Sequence, residues 1–112
     1  MNEGIMERVW NKFSGQVEGF FHNRRLKRYF KTAEKMKPRI ESFLQEKGLK
    51  YSIKVLDDSE EYWWSKVKIE VQVDIENYAD VLKLWEEIDN VAYRNFSIDD
   101  INGVFISVDS IR

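Results

Sequence analysis

Five cations, Arg24, Arg28, Lys31, Lys35 and Arg39, recur at three- and four-residue steps. On a helix turning about 100° per residue they fall within about 80° of one another, along roughly 22 Å of axis. A row of one sign can follow a phosphate backbone. It can also dock on an acidic protein surface, a second copy of this chain included. The plain alternative is the solvated face of an amphipathic helix, with Glu34 and Glu41 on one flank. Arg25 and Lys27 flank the row, and His22 and Asn23 precede it. These positions lie off the apolar stripe, so reversing the charge of Arg24, Arg28 and Arg39 is expected to leave the domain folded.

Aromatic residues form the second constellation. In Tyr62-Trp63-Trp64 the parity of Ser65, Val67 and Ile69 puts Trp63 inward and Trp64 outward. An outward Trp is an interface anchor or a cover for a helix end or strand edge. Trp10, Phe13, Phe20 and Phe21 are a heavy aromatic load for one N-terminal segment, which points to sharing with a partner. Trp64, Trp10 and Phe13 are therefore the candidate protein interface. Sheet-based RNA recognition stacks bases on exposed aromatics, whereas the wet face here reads Lys66, Lys68, Glu70, Gln72 and Asp74, with only Trp64 and Phe105 to stack.

The remaining polar groups give little chemistry. Asp57, Asp58, Glu60 and Glu61 share one loop and Asp99-Asp100 another, but the first lacks the ligand spacing and Gly of a calcium loop. Neither is taken as a metal site. His22 is the only histidine and, read as an exposed helix-start residue, has no sequence-local triad partners. The five Gly are scattered, so there is no phosphate-cradling loop. No catalytic residue, cofactor or small-molecule substrate is indicated.

The elements that must position these residues follow from composition and period. The chain has 112 residues, 43% of them hydrophobic and 14% aromatic, enough for one domain with its own core. With no Cys, a disulfide scaffold, a Cys-ligated zinc module and a thiol enzyme are excluded. No apolar run reaches membrane-span length and the N-terminus lacks a signal-peptide layout, so a cytoplasmic protein is expected. Charged residues make up 34% and Gln only three, a lean toward thermophile composition. Net charge is −2, yet residues 1–55 carry 13 basic and 6 acidic side chains while residues 56–112 carry 5 and 14. That asymmetry is met by an outside partner or by attraction between the two halves, within one chain or between subunits.

Apolar residues at three- and four-residue steps from Ile5 to Phe21 predict a short helix near residues 3–13 and a looser stretch around Ser14, Gly15 and Gly19. A strand over residues 4–10 is the alternative. Residues 23–47 read as the main helix, stopped at Gly48 and kinked by Pro38 near Lys35 and Met36. The period then becomes two over Tyr51–Val55 and Ser65–Ile75. Asn77 caps a helix through Ala92, and after Asn102-Gly103 a last strand runs from Val104 to Val108.

The reading is a single α+β domain over residues 1–112, with helices on one face of a small antiparallel sheet of three or four strands, in the order α(α)ββαβ. With a strand at residues 4–10 it becomes the ferredoxin-like βαββαβ topology. Topology does not assign function. The composition and constellations favour a non-enzymatic binding domain, a homodimer, higher homo-oligomer or subunit of a complex, with nucleic-acid binding through the 23–47 helix as the other reading.

Overall fold

The structure is a computed structural model that describes the backbone of residues 3–59 and 65–112, and side chains from residue 22 onward within those ranges. Six elements follow one another: α1 (Glu3–Glu46), β1 (Tyr51–Asp57), β2 (Val67–Val73), α2 (Tyr78–Ala92), α3 (Ile98–Asn102) and β3 (Val104–Ser110). The α+β class is as the periods imply, with helices and a small three-stranded sheet.

At the N-terminus residues 4–10 are helical as read, not the alternative strand, but the looser stretch expected after residue 13 is absent, because one helix of 44 residues runs from Glu3 to Glu46. Ser14, Gly15 and Gly19 lower helix propensity by only about 1 kcal/mol per Gly, which neighbouring turns absorb. The helix also runs on through Pro38, whose missing N–H leaves the Glu34 carbonyl without its usual donor. It ends where the sequence says it should. Gly48 takes the left-handed conformation at φ 68°, its N–H bonds to the Gln45 carbonyl, and the Leu49 N–H bonds to the Leu44 carbonyl. These are the paired bonds of a Schellman cap.

The sheet is mixed, where an antiparallel one was expected. β2 is central, antiparallel to β1 and parallel to β3. The chain leaves β2 at one end and must return to the other before a parallel strand can start, and α2 with α3 makes that crossover. α3 lies where a plain turn was expected. Its cap is Ser97, whose Oγ accepts from the Asp100 N–H. Asn77 caps α2 as read, its side chain accepting from the Ala79 N–H at 2.9 Å.

The core lies between the helices and one sheet face. Ala33, Met36, Ile40 and Leu44 of α1 are fully buried, as are Val67, Ile69, Val71 and Val73 of β2. Val81, Leu84, Ile88 and Ala92 of α2 and Val104, Ile106 and Val108 of β3 complete it. The other sheet face carries the cross-strand rows Leu56–Lys68–Phe105 and Lys54–Glu70–Ser107. Gly103, just before β3, lies against Tyr29 of α1, and a Cβ there would fall inside the tyrosine ring.

Tyr93, at the end of α2, reaches the outer edge of β3 and donates its hydroxyl hydrogen to the Val104 carbonyl at 3.2 Å. Burial first, and then the charge of Asp89, push this phenol up to about 12. Burial also raises the Asp89 carboxyl above its ordinary value, and its Oδ1 has no hydrogen-bond partner.

Two outcomes follow. Gly103→Ala is expected to destabilise the domain by about 1–3 kcal/mol, the usual cost of overfilling a packed site, read as a lower melting temperature, while Tyr29→Ala in the same chain relieves the clash. A raised native carboxyl makes its folded form less stable as pH rises through that value. Asp89→Asn is therefore expected to melt above the parent chain at pH 7, with the gap closing as pH falls toward the ordinary carboxylate range.

Candidate functional site

The basic row of α1 divides into two sets. Arg28 and Arg39 are held within the chain. The Arg28 Nε donates to Asp100 Oδ1 at 2.7 Å. Arg39 donates from Nη1 to the Arg94 carbonyl, and its guanidinium lies 4.8 Å from the centre of the Phe96 ring, a cation–π contact. Both arginines thus fasten α1 to the segment between α2 and β3. Asp100 is prepared for this role. The Ser97 hydroxyl first, with Arg28 and Lys35 adding to it, holds its carboxyl below the ordinary range against the opposing effect of burial. Both residues lie off the buried stripe, as expected, and charge reversal at either would break these surface ties.

Arg24, Lys27, Lys31 and Lys35 are exposed. Arg24, Lys27 and Lys31 make no ion pair among the described residues, and Lys35 lies near enough to Asp100 to lower its carboxyl. At about 100° per residue these four span about 80° of the helix, on the side turned away from Ala33, Met36 and Ile40. Glu34 is the acidic residue on this flank.

His22 is buried in the middle of α1, where an exposed helix start was expected. Its Nδ1 lies 2.8 Å from Ser65 Oγ, which also accepts from Arg25 Nε at 3.0 Å. These three residues tie the helix to the start of β2, a partnership 43 residues apart that no local motif announces.

The other candidates are placed as follows. Asp57 and Asp58 are exposed, and Asp57 Oδ1 accepts from the Ser59 N–H. Asp99 and Asp100 form the first turn of α3. Among the described residues, no group of three or more His, Asp or Glu could hold a metal ion. Trp64 and the side chains of Trp10 and Phe13 lie outside the described residues. Phe105 is on the open sheet face, edge-on to Trp85 at 6.1 Å between ring centres, with Lys66 Nζ 5.2 Å from its own. Between the end of α1 and α2, an open groove of about 410 Å³ has Leu49, Ile75 and Leu84 on its floor and the Lys47–Glu87 ion pair, 2.9 Å long, on its rim. No sequence signal marked it.

No protein-family model, curated protein or solved structure matches this chain.

A carboxylate held low stabilises the fold above its unfolded value and loses that contribution as pH falls through its native one. Asp100→Asn is therefore expected to lower the melting temperature at pH 7 and to match the parent chain in strong acid. Arg28→Gln should reproduce much of the neutral-pH loss, and the double variant should fall short of the sum.

Proposed function

We propose that the protein is a non-enzymatic binding domain that acts through protein–protein contacts, first of all with a second copy of itself. The observation that carries this reading is a mismatch of lengths. A 44-residue helix is about 66 Å long, close to the 68 Å longest dimension of the molecule. Seven-residue strands reach only about 23 Å. The inward positions of α1 from 26 to 44 already match the sheet, and residues 3–21 continue along the axis beyond it.

That extension is apolar on a different side. At about 100° per residue, positions 6, 9, 13, 17 and 20 fall about half a turn from positions 26, 33, 36, 40 and 44. Met6, Val9, Phe13, Val17 and Phe20 are spaced 3, 4, 4 and 3 residues apart, symmetrically about Phe13. An antiparallel two-fold pair centred there would register position 6 with 20 and 9 with 17, the self-complementary pattern of an isologous contact. Trp10 and Phe13, the interface residues expected from the sequence, belong to this segment, and Trp64 is proposed as a separate anchor.

Light scattering on the eluting full chain at micromolar concentration is expected to give at least twice the 13.5 kDa chain mass. Phe13→Glu with Val17→Glu should reduce this to a single chain that keeps the parent circular dichroism. A monomeric parent chain would overturn the reading.

A further inference from the structure

We infer that the outward row Arg24, Lys27, Lys31 and Lys35 of α1 binds the phosphate backbone of duplex nucleic acid, without reading its sequence. This goes beyond self-association and does not depend on it. Three features of the row point to phosphate. First, the four cations are exposed, lie within about 80° of the helix and extend over about 16 Å of its axis. A duplex presents one charge per about 1.7 Å of axis, so the row meets phosphates along its whole length.

Second, the row is anchored on rigid structure. Its opposite face, at Ala33, Met36 and Ile40, is fully buried, and Arg28 and Arg39 at its edge fasten the helix to the segment before β3. The cations therefore approach a ligand on a helix already packed in place, with little backbone left to order.

Third, the exposed residues of this face from 23 to 35 are Asn, Arg, Lys and Glu, and none of the large apolar residues exposed among the described ones lies on α1. A protein partner takes most of its affinity from buried aromatic and aliphatic anchors, and a membrane surface needs an apolar face to insert. Phosphate contacts need only donors and positive charge. Between residues 23 and 35 this face exposes no aromatic residue, which separates that stretch from single-strand binders, which stack bases.

The test is fluorescence anisotropy of a labelled 20-base-pair duplex, as DNA and as RNA, with the full chain. Neutralising about four phosphates should weaken binding about 150-fold between 50 and 200 mM KCl. Arg24→Gln, Lys27→Gln, Lys31→Gln and Lys35→Gln together should abolish binding, while the melting curve stays near that of the parent chain, since Gln is a good helix former. The pairs Arg24→Gln with Lys31→Gln and Lys27→Gln with Lys35→Gln should each reduce the salt effect to about 10-fold, and they serve as the test should the quadruple variant fail to fold. No binding by the parent chain at 50 mM KCl would overturn the proposal, as would unchanged binding by the folded variants. Binding to phosphatidylserine vesicles with none to duplex would overturn it too and assign the row to a membrane surface.

Discussion

Everything in this domain hangs on one stripe of α1 seated on one row of β2. Ala33, Met36, Ile40 and Leu44 have no exposed surface, and neither do Val67, Ile69, Val71 and Val73. Full burial of a large aliphatic side chain is worth about 1.5–3 kcal/mol, and a small domain has only about 5–15 kcal/mol of net stability. The central strand is therefore committed to the helix, and β1, β3 and α2 are placed by what they add around that contact. The polar features follow. Once the stripe faces the sheet, the cations half a turn away must face outward, and those at the stripe's border must meet the segment that returns to β3.

That border is where the acidic half of the sequence meets the basic half. Arg28 finds Asp100, and Lys47 finds Glu87. Exposed ion pairs of this kind contribute about 0–1 kcal/mol each, too little to drive folding. Their effect is on geometry, since they settle how the segment after α2 lies against the helix. They also consume some positive charge and leave the rest as a defined row.

Much of this was legible in the chain because it is local. The stop at Gly48 needs only a left-handed residue after an amphipathic run, and Asn77 declares a helix start on its own. The alternation from Val67 to Val73 marks one buried and one wet face whatever lies on either side. What could not be read depends on distant partners. The parallel pairing of β3 is fixed by where α2 delivers the chain, not by the residues of β3. Burial of His22 follows from Ser65, 43 residues away. The division of the cationic row follows from Asp100 and the Arg94 carbonyl, 72 and 55 residues away. At residues 14–19, Gly and Ser signalled weakness that a long helix carries through, so a local propensity was outvoted by its neighbours.

The edge of β3 has one more implication. Tyr93 occupies the Val104 carbonyl there, α2 lies alongside, and Trp85 meets Phe105. β1 is the other end of the sheet, with no strand beyond it among the described residues. With its β3 rim occupied at Val104 and flanked by α2, the sheet gains strands more readily through β1. Two such sheets meeting rim to rim through β1 would turn a partly covered rim outward at each end. Fibril formation needs a fresh template after every addition, and one phenol with the helix that carries it obstructs that template.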